Sequence, residues 1–299
     1  MKKKLIGIDY LTFFLILWNM AYAAVGWNRI NAPLPHIVTY FSIGVGIIFL
    51  IWLESVYSIP LIRFIRDAYP IFLFGYFFES TSHVNHVIFQ NFLDPWFQNI
   101  DQVIFNYQPS LVWGMIYKGA VVQEIMHFSY FSYYLMIAGI PIYLYLKNRK
   151  AFHETIFAIT FVFYFCYFIY SWLPVVGGRY FPEAKQISTV YQDGIFTRIM
   201  AYIYTESPHM GGAFPSSHVA ISVVITWAAL RYMKKIGYIL VPITFLLCLS
   251  TVHCHYHYFI DILAGLFTSL LLYPIAILLY RKWPVSITEN MPSAQPAKK

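Results

Sequence analysis

The chain has 299 residues, of which 59% are hydrophobic and 11% charged, and aromatic residues make up 20%. These proportions lie outside the range of soluble globular domains and indicate an all-α, polytopic integral membrane protein. The formal net charge of +7 is accounted for by cytoplasmic loops that face anionic lipid headgroups. No basic stripe with interleaved aromatic residues accompanies this charge, so we expect no nucleic-acid partner.

Eight apolar stretches are long enough to cross the ~30 Å of bilayer hydrocarbon. The first is expected to be a retained anchor, because no small-residue cleavage site follows it. Three cysteines, Cys166, Cys248 and Cys254, lie in or beside these stretches without paired spacing, which predicts core packing and neither a disulfide nor a thiolate metal site. The eight predicted spans lie near residues 10–26, 36–57, 68–82, 124–146, 154–174, 214–232, 236–253 and 258–280.

The distribution of lysine and arginine predicts the orientation, because cytoplasmic loops carry an excess of both. With the N terminus inside, the outer side keeps only Arg29, Lys118, Arg179, Lys185 and Arg198. We therefore expect an even number of spans and two cytoplasmic termini. The inner side collects 15 of the 20 basic residues: Lys2, Lys3, Lys4, Arg63, Arg66, Lys147, Arg149, Lys150, Arg231, Lys234, Lys235, Arg281, Lys282, Lys298 and Lys299.

Two long outer segments, 83–123 and 175–213, mix aromatic residues with polar residues and prolines. Within 97–118, apolar residues recur at helical spacing on either side of a break at Gln108-Pro109. This pattern predicts short helices that lie in the interface plane and pack over the outer face.

Polar residues that could perform chemistry concentrate in three outer stretches, 173–183, 211–220 and 253–261. In the last of these, His257 and Asp261 are four residues apart, which places them on one face of a helix. A carboxylate that accepts a hydrogen bond from one ring nitrogen fixes the tautomer and leaves the other nitrogen free to attack or to take up a proton. The alternative is that Asp261 only caps the last helix.

His218 follows Ser216 and Ser217 where a helix is predicted to begin, so backbone N–H groups and hydroxyls there favour phosphate. Gly211-Gly212 would allow a ligand close to the backbone, and His218 could donate a proton to a leaving oxygen. Arg179 has a planar guanidinium group that can donate hydrogen bonds to two phosphate oxygens at once. The alternatives are a helix cap followed by an interfacial histidine, and an arginine that only reaches toward headgroups.

His253 and His255 form an HxHxH run with His257, which resembles a string of metal ligands. Side chains two apart share a face only in a strand, whereas helix ends are expected here, and the carboxylates of a two-metal site are missing. We therefore expect no metal. His253 and His255, together with Tyr180 and His209, are candidates for positions around the site or facing lipid headgroups.

Taken together, these motifs resemble the three signature motifs of the type 2 phosphatidic acid phosphatase superfamily. The match rests on Arg179, Pro215-Ser216-Ser217-His218, and His257 with Asp261 and Gly265. Three positions depart from the phosphatase pattern: Trp172 and Thr251 stand where a lysine and an arginine are usual, and Ser217 stands where a glycine is common. Residues 99–110, Glu124 and 127–134 resemble the inositol phosphorylceramide synthase-like branch.

The resemblance implies a mechanism without cofactor or metal. His257 would form a phosphohistidine, oriented by Asp261, and His218 would protonate the leaving oxygen and then activate the acceptor. Arg179, Ser216 and Ser217 would hold the phosphate oxygens. A lipid acceptor would make the enzyme a phosphotransferase, for instance of phosphoinositol, and water would make it a simple phosphatase of phosphatidate or isoprenoid phosphate.

The resemblance also divides the chain into two N-terminal transmembrane helices (1–66), a six-helix catalytic core (67–283) and a cytoplasmic tail (284–299). The implied partner is a phospholipid or lipid phosphate in the membrane, and the oligomeric state is left open. The alternative from a different class is a transporter, since buried Arg, His and Asp in a polytopic protein also line substrate paths. It is disfavoured because the sequence shows no inverted repeat and its polar residues lie at helix ends.

Overall fold

The computed structural model describes residues 5–184, 194–206 and 209–282. Within these ranges the fold is all-helical, as predicted, apart from an isolated parallel bridge between Val175 and Gly212 and a 3-10 turn at Gly178–Tyr180. The helices are α1 (Gly7–Val25), α2 (Pro33–Val56), α3 (Pro60–Thr81), α4 (Asp94–Phe105), α5 (Pro109–Ile116), α6 (Ala120–Lys147), α7 (Arg149–Tyr170), α8 (Ile195–Glu206), α9 (Ser217–Tyr232), α10 (Lys234–His253) and α11 (Phe259–Lys282).

Six of these helices, α1, α2, α6, α7, α10 and α11, are long and apolar enough to cross a membrane. Each coincides with a predicted span to within a few residues at either end. Several long apolar helices in one bundle make this an integral membrane protein.

The two other predicted spans form helices that fall short of this criterion. The helix α3 begins at Pro60, earlier than the predicted residue 68, and so includes Arg63, Arg66 and Asp67. These charges lower its apolar character, and the predicted domain boundary between residues 66 and 67 falls inside this continuous helix. The helix α9 has only 16 residues, about 24 Å at 1.5 Å per residue, which is less than the ~30 Å hydrocarbon core.

The helix α7 occupies the centre of the bundle. The apolar stretch by which α7 qualifies as a membrane span is 78% buried, compared with 17% for the corresponding stretch of α2. The helix α7 contacts α1, α3, α6, α9 and α11. Its own apolar side chains are buried all around the helix, among them Phe152, Phe157 and Val162, as expected for a helix surrounded by other helices. The helix α2 lies at the edge, where most of its side chains face outward.

Ion pairs with buried carboxylates collect at the end of the bundle where α7 begins. They join α1 to α3, α3 to α7 and α7 to α9, and a buried charge is tolerated only when it is paired in this way. Because α7 runs from Arg149 at this end to Tyr170, its C-terminal end lies at the opposite end of the bundle. The pairs are Arg66 with Asp9, Arg149 with Asp67, and Arg231 with Glu154.

Short helices cover the end of the bundle where α7 stops. As the pattern in 97–118 predicts, α4 and α5 lie on either side of a break, where Asn106 adopts a left-handed conformation with φ of 60°. The helix α4 packs on α11, α5 on α10, and α8 on α6. These contacts place the short helices against the segments that build the candidate site.

Candidate active site

The three polar stretches of the sequence meet around one cavity beside the C-terminal end of α7. Arg179, His218 and His257 line a cavity of about 80 Å³, which has room for several water molecules and therefore for a phosphate group. Its walls are mainly ring side chains, among them Phe78, Tyr134, Tyr204 and Tyr256. The fold thus brings together residues as far apart in the chain as Phe78 and His257.

His257 lies in the turn between α10 and α11, where its N–H donates to the carbonyl oxygen of Thr251 at 3.0 Å. Its Nδ1 lies 3.3 Å from Oδ2 of Asp261, and its Nε2 lies 3.1 Å from Oγ of Ser216. The predicted pair is therefore present, but the predicted geometry was wrong. The helix begins only at Phe259, so the pair spans the start of a helix and does not share one helical face.

Asp261 combines the two roles that the sequence left as alternatives. The same Oδ2 atom that faces His257 also accepts the N–H of Tyr258 at 2.9 Å, as a capping carboxylate does. With Asp261 ionised, its carboxylate can only accept, so we assign the ring hydrogen of His257 to Nδ1 and its lone pair to Nε2. Ser216 Oγ accepts the N–H of Val219 at 3.4 Å and so has its hydrogen available for that lone pair.

The environment keeps His257 neutral. Its pKa is lowered well below 6.5, first by burial and then by the positive charges that His218 and Arg179 can carry nearby. A neutral imidazole with its lone pair on Nε2 is the form that acts as a nucleophile at neutral pH.

His218 is the second residue of α9, and its ring faces His257 across the cavity, with 5.8 Å between the ring centroids. The rings of Tyr130 and Tyr133 on α6 pack against it at 4.9 Å and 4.5 Å. Its Nδ1 is buried and has no hydrogen-bond partner within the described ranges, so a ligand in the cavity could supply one.

Arg179 is held on two sides. Its Nη2 donates to the carbonyl oxygen of His209 at 3.2 Å, and its guanidinium carbon lies 4.5 Å from the ring centroid of Tyr204. Its Nε is buried and has no partner among the described residues, which leaves a donor for an anion. His209 also lines the cavity, with Nε2 2.9 Å from Oγ1 of Thr81. Burial and the charge of Arg179 lower the pKa of His209 to about 3.

Ser216 and Ser217 do not present free backbone donors, in contrast to the prediction for this helix start. The N–H of Ser216 donates to the carbonyl oxygen of Asp261 at 3.1 Å, and the N–H of Ser217 donates to Oη of Tyr170 at 3.1 Å. Neither serine is among the residues lining the cavity. Sequence reasoning missed Tyr170, because nothing in an aromatic-rich helix distinguishes the tyrosine whose hydroxyl holds a neighbouring helix start.

His253, His255 and Tyr180 lie away from the cavity. His255 has a positive φ of 63°, and its Nδ1 contacts the carbonyl oxygen of Ser110 on α5. His253 ends α10 with a buried Nε2 that no described residue bonds, and Tyr180 packs toward Phe92 with 39% of its surface exposed. In the described ranges, no three His, Cys, Asp or Glu side chains group so that they could hold a metal ion.

Neither Trp172 nor Thr251, the two departures that replace a basic residue, faces the cavity. Trp172 packs against a cluster that includes Tyr22, and the carbonyl oxygen of Thr251 accepts the N–H groups of Tyr256 and His257. Among the described residues that line the cavity, Arg179 is therefore the single lysine or arginine.

Acidic residues without a predicted role contact the segments around the site. Asp94 and Asp101 on α4 accept backbone N–H groups of the segment before Arg179 and of the start of α11. Glu124 accepts the N–H groups of Phe196 and Thr197 at 3.0 Å and 2.9 Å and so caps α8, the helix that carries Tyr204. The sequence predicts that the segment 83–123 packs over the outer face, but residue spacing alone does not show which of its carboxylates point inward.

The described residues form a helical membrane bundle that carries two facing histidines, a buried aspartate and an arginine at one of its ends. A family model described as the PAP2 superfamily matches residues 96–275, more than half of the chain. The chain therefore belongs to the PAP2 superfamily, and membership indicates a membrane phosphatase-type activity. No curated protein and no solved structure matches the chain.

Proposed function

We propose that the protein is a metal-independent membrane phosphotransferase or phosphatase that acts on a lipid phosphate or phospholipid headgroup through a phosphohistidine at His257. One observation carries this proposal: the rings of His257 and His218 face each other across a cavity at 5.8 Å, with Arg179 in its wall. Two histidines on either side of a phosphate-sized space provide a nucleophile and a proton donor for phosphoryl transfer.

In the first step, Nε2 of His257 attacks phosphorus and the bond to the leaving lipid oxygen breaks. His218 gives its proton to that oxygen, and Asp261 stabilises the positive charge that develops on the attacking ring. The Ser216 hydroxyl, now directed at Nε2, turns to a phosphate oxygen, and Arg179 donates to another from Nε. Ser217 contributes by fixing the start of α9, since its own N–H is already bonded to Tyr170.

In the second step, neutral His218 takes the proton from the acceptor hydroxyl, whose oxygen attacks phosphorus as the P–N bond to His257 breaks. Water as acceptor completes a hydrolysis, and a lipid hydroxyl completes a transfer. We favour transfer from a phosphodiester donor such as phosphatidylinositol, because a diester carries one negative charge and Arg179 is the single lysine or arginine among the described lining residues. This matches the inositol phosphorylceramide synthase-like resemblance.

We also propose that α3 and α9 cross the membrane with the six longer helices, which gives eight spans and puts both termini in the cytoplasm. The ion-pair end of the bundle carries the arginines of α3 and α7, in keeping with the excess of basic residues on the inner side, so the site faces the extracytoplasmic side. The first domain then ends before α3, the catalytic core reaches residue 283, and the tail 284–299 lies outside the described residues. Labelling of single cysteines placed at either end of the bundle tests this orientation.

The activity is tested with purified protein in detergent micelles and two ³²P-labelled substrates, phosphatidate and phosphatidylinositol, with and without a ceramide acceptor. We expect labelled product and an acid-labile, base-stable labelled protein that is absent in His257→Ala. Phosphate released from phosphatidate, or inositol phosphate released from phosphatidylinositol, indicates hydrolysis, and a labelled lipid that depends on the acceptor indicates transfer. Turnover that persists in His257→Ala contradicts the mechanism.

A further inference from the structure

The helix α4 has two faces of opposite character. Asp94 and Asp101 are seven residues apart, two helical turns, and both are fully buried on the side that meets the site. On the other side, Trp96 and Val103 expose 65% and 72% of their surface. The helix therefore presents apolar residues to its surroundings and carboxylates to the protein interior, where acidic groups require strong partners.

Asp94 holds the segment that leads to Arg179. Its Oδ1 accepts the N–H of Gly177 at 3.0 Å, and its Oδ2 accepts the N–H of Val176 at 3.0 Å. Its Oδ1 also accepts the hydroxyl of Tyr258 at 2.8 Å, so one carboxylate joins this segment to the turn that contains His257. Gly177 has a φ of 88°, and a Cβ there would lie 2.3 Å from a carbonyl oxygen of the same turn. The two segments are therefore in close contact.

Asp101 holds the start of α11. Its Oδ2 accepts the N–H of Phe259 at 2.8 Å, and its Oδ1 accepts the N–H of Ile260 at 3.1 Å. Asp261 follows directly and accepts the N–H of Tyr258. The first backbone N–H groups of this helix thus donate to carboxylates, whose negative charge is also favourable at the positive end of the helix dipole. The position of Asp261 relative to His257 depends on where this first turn begins.

We propose that Asp94 and Asp101 are positioning residues of the active site: Asp94 places Arg179 for phosphate binding, and Asp101 places Asp261 for activation of His257. This inference rests on the proposed function of the site. A displacement on the order of 1 Å in a catalytic group lowers the rate by up to about 100-fold, so the two carboxylates are expected to affect different kinetic constants.

Asparagine variants distinguish the two proposed positioning roles. Asp94→Asn is expected to raise KM and the Kd for orthovanadate by roughly tenfold with a smaller change in kcat, because the segment before Arg179 is released. Asp101→Asn is expected to lower kcat by roughly tenfold or more, with KM within about twofold. In an Asp261→Asn background, Asp101→Asn should add little further loss, since it acts through Asp261. If Asp94→Asn does not fold, Tyr258→Phe removes one bond of the same carboxylate and should shift KM in the same direction.

The matched control is Asp67→Asn, which removes a buried carboxylate from the opposite end of the bundle. It should lower the unfolding temperature without separating kcat from KM. Restoring a carboxylate with Asp101→Glu should recover part of kcat. Equal effects of Asp94→Asn and Asp101→Asn on both constants, or full additivity of Asp101→Asn with Asp261→Asn, would overturn the positioning roles.

Hydrogen exchange provides a readout that does not depend on turnover. Asp94→Asn should speed amide exchange at 176–177, and Asp101→Asn should speed it at 259–260, each by more than Asp67→Asn does. If the wild type processes neither lipid, the proposed function fails. The positioning inference is then decided by this exchange pattern and by vanadate binding, and unchanged exchange at both segments overturns it.

Discussion

Replacing Asp261 with asparagine removes a negative charge from the site and leaves its shape nearly unchanged. In the wild type, Oδ2 accepts from both His257 Nδ1 and the Tyr258 N–H, whereas Oδ1 is buried and has no partner in the part of the chain that the structure describes. An asparagine whose amide oxygen takes the place of Oδ2 keeps both bonds and therefore the tautomer with its lone pair on Nε2. The expected loss then reflects the missing charge.

The size of this effect follows from the geometry. At the observed 3.3 Å between Nδ1 and Oδ2, and with an effective dielectric constant of about 20, two unit charges attract by about 5 kcal/mol. His257 becomes positive only as its bond to phosphorus forms, so most of this attraction is gained in the transition state. Allowing for the dipole of the amide, we expect kcat to fall on the order of 10²- to 10³-fold, about 3 to 4 kcal/mol.

Initial rates and the rate of phosphoenzyme formation on short-chain lipids measure this loss. Thermal unfolding of each variant provides the control for folding. Asp261→Ala should lose more than Asp261→Asn, because it removes the acceptor for Nδ1 and frees the tautomer of His257. A kcat for Asp261→Asn within about threefold of the wild type would refute the electrostatic role, and equal losses in both variants would refute the tautomer argument.

Four further predictions concern the same site. Arg179→Lys should lower kcat/KM by roughly tenfold or more in the same assay, because lysine lacks the planar fork that bonds the backbone and still leaves Nε for phosphate. Because the pKa of His257 is held well below 6.5, kcat/KM should show no acid limb near pH 6.5. Thermal stability should fall as the pH drops below 6.5, where the unfolded chain takes up the proton and the folded one does not. Tyr170→Phe should lower the free energy of unfolding by about 1 to 3 kcal/mol, measured by thermal or denaturant unfolding, because it leaves the Ser217 N–H and the Pro215 carbonyl without their partner. Activity should persist after dialysis against excess chelator, and a loss restored by Zn²⁺ would contradict the metal-independent mechanism.

The sequence predicted the membrane class and six of the helices because a continuous apolar run is a local signal that needs no tertiary information. The sequence predicts a helix α3 that is too short, because its first two turns carry charges. Charged residues next to an apolar run indicate a loop outside the membrane. In the fold, Arg66 and Asp67 are paired inside the bundle. These charges are compatible with the interior of the bundle only because Asp9 and Arg149 on neighbouring helices pair with them.

The candidate site was predictable to the extent that its residues form short motifs. His218, His257 and Asp261 carry the motif signal, and the fold places the two histidines at one cavity. The contacts that fix these residues were not predictable, because they join side chains to the backbone of distant segments. The hydroxyl of Tyr170 bonds the start of α9, and Asp101 bonds the start of α11, and neither relation leaves a periodic pattern in the sequence.

The remaining unpaired atoms indicate what the site is built to bind. Among the proposed catalytic and phosphate-binding residues, three buried polar atoms lack a partner in the described structure: Arg179 Nε, His218 Nδ1 and Asp261 Oδ1. A buried unpaired polar atom is costly, so a site that retains such atoms is more stable once a ligand satisfies them. A phosphate oxygen would satisfy the first, and the leaving or accepting oxygen the second. In the proposed mechanism, the positive charge that forms on His257 compensates Asp261, so the transition state of phosphoryl transfer would satisfy all three atoms together.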